Sequence, residues 1–173
     1  MTTPVAPLQA TDTSNLGAAT SGLYRFEVDT AHPATTPTWE EAKGITKLAP
    51  KFAQVTEDDT DLSSGGWASE FPVGNGFTIE IEGLTKGVEG EAGLVVDPGV
   101  QALLDASATF GKAGIIHGRY WRTDNLPEAF EFYATCNVSR NGDKPPALDK
   151  WSGTLTGKNA PKVIAKPTEP ETP

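Results

Sequence analysis

Cysteine is nearly absent. Cys136 is the single one, so no intramolecular disulfide can close and the fold must rest on packing or on association. Histidine is also scarce. His32 sits in a Pro/Thr-rich stretch and His117 inside a strand-like run. No serine occupies a Gly-x-Ser-x-Gly elbow, and Cys136 falls on the apolar side of its strand, where it reads as a small core residue. Material for nucleophilic catalysis is therefore poor, and no catalytic residue and no cofactor is expected. Gly87, Gly90 and Gly93 are spaced like neither a dinucleotide fingerprint nor a phosphate loop. Long apolar runs are missing too, and none approaches the roughly 20 residues of a membrane span. The first ten residues lack the charged and apolar regions of a secretory signal, so synthesis and use without classical export is expected. Positive charge is in short supply, with 14 Lys and Arg against 23 Asp and Glu and a net charge of −9. Such a surface repels phosphate backbones and anionic membranes, which argues against both as partners.

What the sequence does hold is turns and alternation. With 18 glycines and 14 prolines in 173 residues, many short strands fit better than a helix bundle. Tyr24, Phe26 and Val28 alternate with Arg25 and Glu27, and Phe77, Ile79 and Ile81 alternate with Thr78, Glu80 and Glu82. Both runs read as half-buried strands. Further strands are expected at 115–122, through Phe130, Phe132, Ala134, Cys136 and Val138, and at 148–156. Weaker strands are expected at 39–48, interrupted by Gly44, and at 52–57, while 88–96 reads as a loop or a frayed strand. One segment departs from this pattern. Asp97-Pro98 looks like an N-cap followed by proline at the first helical position. Val100, Leu103, Leu104, Ser107 and Phe110 then recur at helical spacing before Gly111, which predicts a helix over about 98–110.

Residues 1–20 and 159–173 are polar and Pro-rich and read as arms that cannot hold a place on their own domain, which leaves a β domain over 21–158. Inside it, 56–76 lacks sustained periodicity and reads as a long loop, a length that is often functional. Asp59, Asp61, Ser63 and Glu70 fall at the first, third, fifth and twelfth positions of a calcium-loop pattern, but Ser64 replaces the required glycine. Asp59, Asp61 and Glu70 are thus weak metal candidates, and a solvated or partner-facing acidic loop is the simpler reading. Of the four tryptophans, Trp39 and Trp121 read as core or interface anchors and Trp151 lies in the last strand. Trp67, in the irregular stretch, is the best candidate for contact with another chain. Asp58, Asp59, Asp61, Trp67 and Phe71 are accordingly expected at a contact between subunits.

The order of these segments resembles the major tail protein, or tail-tube protein, of long-tailed non-contractile phages. In the C-terminal half the resemblance rests on the run DPGVQALLDASATFGKAGIIHGRYWRTDNLPEAFEFYATCNVSRNGDKPPALDKWSGTLTGKNAP. In the N-terminal half it rests on TWEEAKGITKLAPKF and on TEDDTDLSSGGWASE. It covers the chain apart from the two arms. No single motif is diagnostic; the order carries it. The resemblance implies a mainly β fold, a sandwich or barrel with one flanking helix, and six-membered rings stacked into a hollow tube. Loops and extended terminal arms would join successive rings. The expected partners are copies of the same chain and other tail proteins at the tube ends, with genomic DNA passing through the lumen without specific binding and no membrane contact. The expected location is the virion tail, with assembly in the host cytoplasm. The family has no catalytic residues to transfer. Two other readings stay open: a small-ligand or glycan-binding β module, and a ring-forming head–tail adaptor.

Overall fold

A computed structural model describes residues 24–142 and 144–168. The arm expected at 1–20 lies outside them. Among the described residues ten strands, one α-helix and two short 3-10 turns follow one another. Strands β1 (Tyr24–Asp29), β2 (Trp39–Glu41), β3 (Ile45–Asp58) and β4 (Glu70–Leu84) come first. Strands β5 (Gly87–Gly90) and β6 (Gly93–Val96) lead into helix α1 (Pro98–Ser107). Then come β7 (Ile115–Arg122), β8 (Ala129–Asn141), β9 (Lys150–Gly157) and β10 (Lys162–Val163). The large sheet is antiparallel in the order β2-β1-β7-β8-β9-β4-β3, with β10 also on β8, and β5 and β6 form a separate hairpin. The fold is mainly β with one helix, as the alternation predicts.

The period-2 pattern places one apolar face. Phe26 pairs with Tyr120, Gly118 with Phe132, Cys136 with Leu155, and Leu155 with Ile79, so these side chains share one side of the sheet. Strands β7 and β4 have β8 and β9 between them, which in a flat sheet would set them about 14 Å apart. The Phe77 and Tyr120 rings nevertheless lie 6.4 Å apart, and Phe52 of β3 lies 5.6 Å from Phe130 of β8. The twisted sheet curls over its apolar face and brings its flanks together. Helix α1 closes that face with Val100, Leu103 and Ala106 buried. Asp97 starts the helix by accepting from the Val100 N–H at 3.3 Å and holds it to the sheet by accepting from the Lys43 N–H at 3.2 Å. Gly99 allows the close approach, since a Cβ there would stand 2.8 Å from the Glu41 carbonyl oxygen.

The structure differs from the sequence reading in three places. First, ten of the 21 residues in 56–76 are strand and not loop, because β3 continues to Asp58 and β4 begins at Glu70. Alternation is hidden there because both faces of the ribbon are exposed, so no core demands an apolar side. Second, the helix stops at Ser107, and Phe110 is 96% exposed. Ala108 has its N–H on the Leu104 and Asp105 carbonyls, and a 3-10 turn at Gly111–Gly114 redirects the chain before another helical turn could carry Phe110 to the sheet. Third, the described part of the C-terminal arm is held by its own domain. β9 pairs with β8 only from Ala134 onward, which leaves the earlier edge of β8 open. Lys162 and Val163 fill it opposite Glu131 and Phe130, and the Ile164 N–H donates to the Ala129 carbonyl at 3.1 Å. Backbone groups make these bonds, so the polar, Pro-rich composition does not forbid them.

Candidate functional site

Strand β4 pairs with β9 only over Thr78–Leu84. Among the described residues it pairs beyond Phe77 with β3 alone, from Phe52↔Phe77 out to Asp58↔Glu70. The seven residues beyond Phe77, at the strand rise, extend this ribbon about 23 Å past the sheet. Its root is anchored by the Phe52 ring, 5.0 Å from Phe77. Its outer part exposes Val55, Leu62, Trp67, Phe71 and Val73, with Trp67 81% and Phe71 60% exposed. A lone two-stranded ribbon is marginal in water, and this one offers bare strand edges beside large apolar side chains.

The acidic residues build the tip of this arm. The Asp58 carboxylate accepts from the Thr60 N–H at 2.8 Å, and Asp61 accepts from the N–H groups of Ser63 and Ser64 at 2.8 and 3.0 Å. Ser64 returns a bond by accepting from the Asp61 N–H at 3.1 Å, a capping box around the turn Leu62–Ser64. Hydrogen bonds from Thr60 hold Asp58 below the usual carboxylate range, and those from Ser63 and Ser64 do the same for Asp61. Glu70 accepts from the Thr56 hydroxyl at 3.0 Å. Asp58, Asp61, Trp67 and Phe71 therefore share one projecting arm with Asp59 and Glu70. Among the described residues, Asp59, Asp61 and Glu70 form no cluster with converging ligand atoms.

A second arrangement lies on the sheet face opposite the core, where the sequence reading placed nothing. His117 of β7 is buried there between two carboxylates, with Nδ1 3.1 Å from Asp29 Oδ2 and Nε2 2.9 Å from Glu131 Oε1. Tyr133 stacks on its ring at 4.4 Å, and Trp39 lies 4.7 Å away. Arg119, on the same face, donates from Nε to Glu27 at 2.6 Å and sits 4.3 Å over the Trp39 ring. A signal existed in the sequence, since Glu27, Asp29, His117, Arg119 and Glu131 all fall opposite the apolar positions of their strands. Which strands are neighbours, however, is not local information.

Asp29 has a pH consequence. Burial pushes its carboxyl up, but the Thr38 N–H, the His117 ring and the Ala31 N–H outweigh that and hold it below the ordinary 3.8. A depressed folded value contributes stability above the unfolded value and loses it as pH falls through the folded value. Asp29→Asn is expected to cost about 1–3 kcal/mol at pH 7. The gap to wild type should narrow below about pH 4, as thermal melts of both proteins from pH 7 to 2.5 would show.

No known protein family and no curated protein matches the sequence. The fold does have solved counterparts. The chain is similar to one in the tail of an empty gene transfer agent particle with C6 symmetry, at a TM-score of 0.60 and 16% identity. That match covers 86% of this chain and 100% of the other. It is equally similar to a chain in the virion of a native gene transfer agent particle, with a TM-score of 0.60, 15% identity and the same coverage. At these identities the likeness establishes a shared fold.

Proposed function

We propose that this chain is a structural subunit of a phage-like tail, assembling with its own copies into stacked six-membered rings that form the tail tube. The observation that carries this reading is the likeness to a chain from a C6-symmetric particle tail, which spans the whole of that chain. The projecting arm supports it. A ribbon with exposed Trp67 and Phe71 is poorly suited to an isolated monomer and well suited to laying its edges on a neighbour. In this reading Asp58, Asp59 and Asp61 shape and charge the arm's tip at the subunit contact, and residues 1–20 join rings. The net charge of −9 suits a conduit from which DNA must slide rather than stick. The subunit has no catalytic role, and its other partners are tail proteins at the ends of the tube.

Electron microscopy of the concentrated, tag-free protein tests this. Tubes of constant diameter with six-fold end views are expected. Isolated rings that never stack would indicate a head–tail adaptor instead. A protein that stays monomeric at every concentration overturns the reading.

A further inference from the structure

The cluster behind the core face, with Asp29 and His117 buried and His32 half-buried, has the donor set of a divalent cation site. Asp29, His32 and His117 place one ligand atom each within 4.8 Å of one another. Asp29 is fixed by its Oδ1, which accepts from the N–H groups of Thr38 at 2.8 Å and Ala31 at 3.0 Å. Its Oδ2 is thereby aimed at Nδ1 of His117, 3.1 Å away. Two ligands on a tetrahedral zinc stand about 3.3 Å apart, given bonds of about 2.0–2.1 Å. The observed spacing is thus close to that of two ligands sharing an ion. The other ring nitrogen of His117 meets Glu131 Oε1 at 2.9 Å. A carboxylate on the far nitrogen fixes the ring and its tautomer, as it commonly does for metal-binding histidines. Tyr133 stacking at 4.4 Å and 10° holds the ring plane.

We propose that Asp29 Oδ2, His117 Nδ1 and a His32 ring nitrogen bind one zinc-type divalent cation, with Glu131 orienting His117. Two imidazoles and a carboxylate suit Zn²⁺ better than Ca²⁺ or Mg²⁺, which prefer all-oxygen shells. The carboxylates of Asp29 and Glu131 balance the charge of the ion. Three protein ligands leave a fourth position for water or for a donor from outside the chain. His32 lies on the connection between β1 and β2 and brings a ring nitrogen within 4.8 Å of the other two ligand atoms. Together with Asp29 it lines a cavity of about 350 Å³. The site joins the β1–β2 connection to β7, so the ion would pin that connection to the sheet. This inference does not depend on the tail reading.

The test uses the full chain, tag-free and stripped with EDTA, and titrates it with ZnCl₂ by calorimetry. One Zn²⁺ per chain is expected. The melting temperature should rise by roughly 5–10 °C when free zinc is about a hundred times its Kd, and EDTA should reverse the rise. Co²⁺ in place of Zn²⁺ should give the visible bands of a tetrahedral site. His32→Ala leaves the Asp29–His117–Glu131 contacts intact, so it should melt like wild type without metal and bind zinc at least tenfold more weakly. Absence of both heat and thermal shift in the wild type overturns the proposal. So does binding that His32→Ala leaves unchanged, which would move the ion to the acidic arm.

Discussion

Replacing residues 59–69 with an Asn-Gly turn is expected to abolish tube formation while leaving a folded subunit. The fold should survive because the cut lies beyond Phe77, where β4 pairs only with β3. Every strand that surrounds the core is untouched, and the Phe52–Phe77 contact still seals the ribbon's root. An Asn-Gly pair closes a two-residue hairpin without strain. Assembly should fail because the tip carries Leu62 and Trp67, two large apolar side chains that the isolated chain leaves in water. A buried tryptophan anchor is worth about 2 kcal/mol or more at an interface, or roughly thirtyfold in each contact. In a closed ring that loss repeats at every junction, so a modest loss per contact becomes an all-or-none loss of tubes. Trp67→Ala with Phe71→Ser should reproduce the defect without shortening the arm. The measurement pairs electron microscopy with a thermal melt. Normal tubes from the shortened protein would remove the arm from the assembly surface, and a collapsed melt would make it part of the domain.

Leu103→Ala is expected to lower stability by about 2–5 kcal/mol, as emptying a well-packed core position does. Leu103 is fully buried where α1 lies on the sheet. Its carbonyl accepts from the Ser107 hydroxyl at 3.0 Å and from the Cys136 thiol at 3.3 Å. Ser107 Oγ in turn accepts from the Val138 N–H at 2.8 Å, so the last turn of the helix is stitched to β8. Burial pushes the Cys136 thiol up to about 11, which keeps it a neutral packing group. For a domain of this size the loss corresponds to a fall of roughly 5–20 °C in melting temperature. Phe110→Ala is the internal control. Its ring is 96% exposed in the chain, so the monomer should melt within about 0.5 kcal/mol of wild type. A large loss from Phe110→Ala, or none from Leu103→Ala, would show that the helix sits differently. Leu104 is partly buried, so Leu104→Asp should fall between the two.

The alternation at Tyr24–Val28, Phe77–Ile81 and Phe130–Val138 was enough to read a mainly β chain and to name much of its core. Each of these strands has one face on the core and one away from it, so the burial pattern is written at period two. The start of the helix was equally legible, since Asp97 and Pro98 act through bonds within one turn. Its end was not. Phe110 keeps the helical spacing, but the chain turns at Gly111 to enter β7, and spacing carries no information about where the next strand must begin.

Sequence alone settled what depends on nearest neighbours along the chain: strand identity, the apolar face, the helix cap, the single unpaired cysteine and the acidic balance. Tertiary structure decided what depends on which strands become neighbours. The outer ribbon of β3 and β4 has neither face on a core, so the sequence showed only a weak strand at 52–57, and the pairing revealed its partner at Glu70–Gly76. The C-terminal segment looked unable to fold on its own, yet β8 offers it an open edge that only the sheet order creates. Asp29 is far in sequence from His117 and Glu131, and the three lie on three adjacent strands. They meet because β1, β7 and β8 stand side by side in one sheet, a contact written in the register between strands and in no single strand.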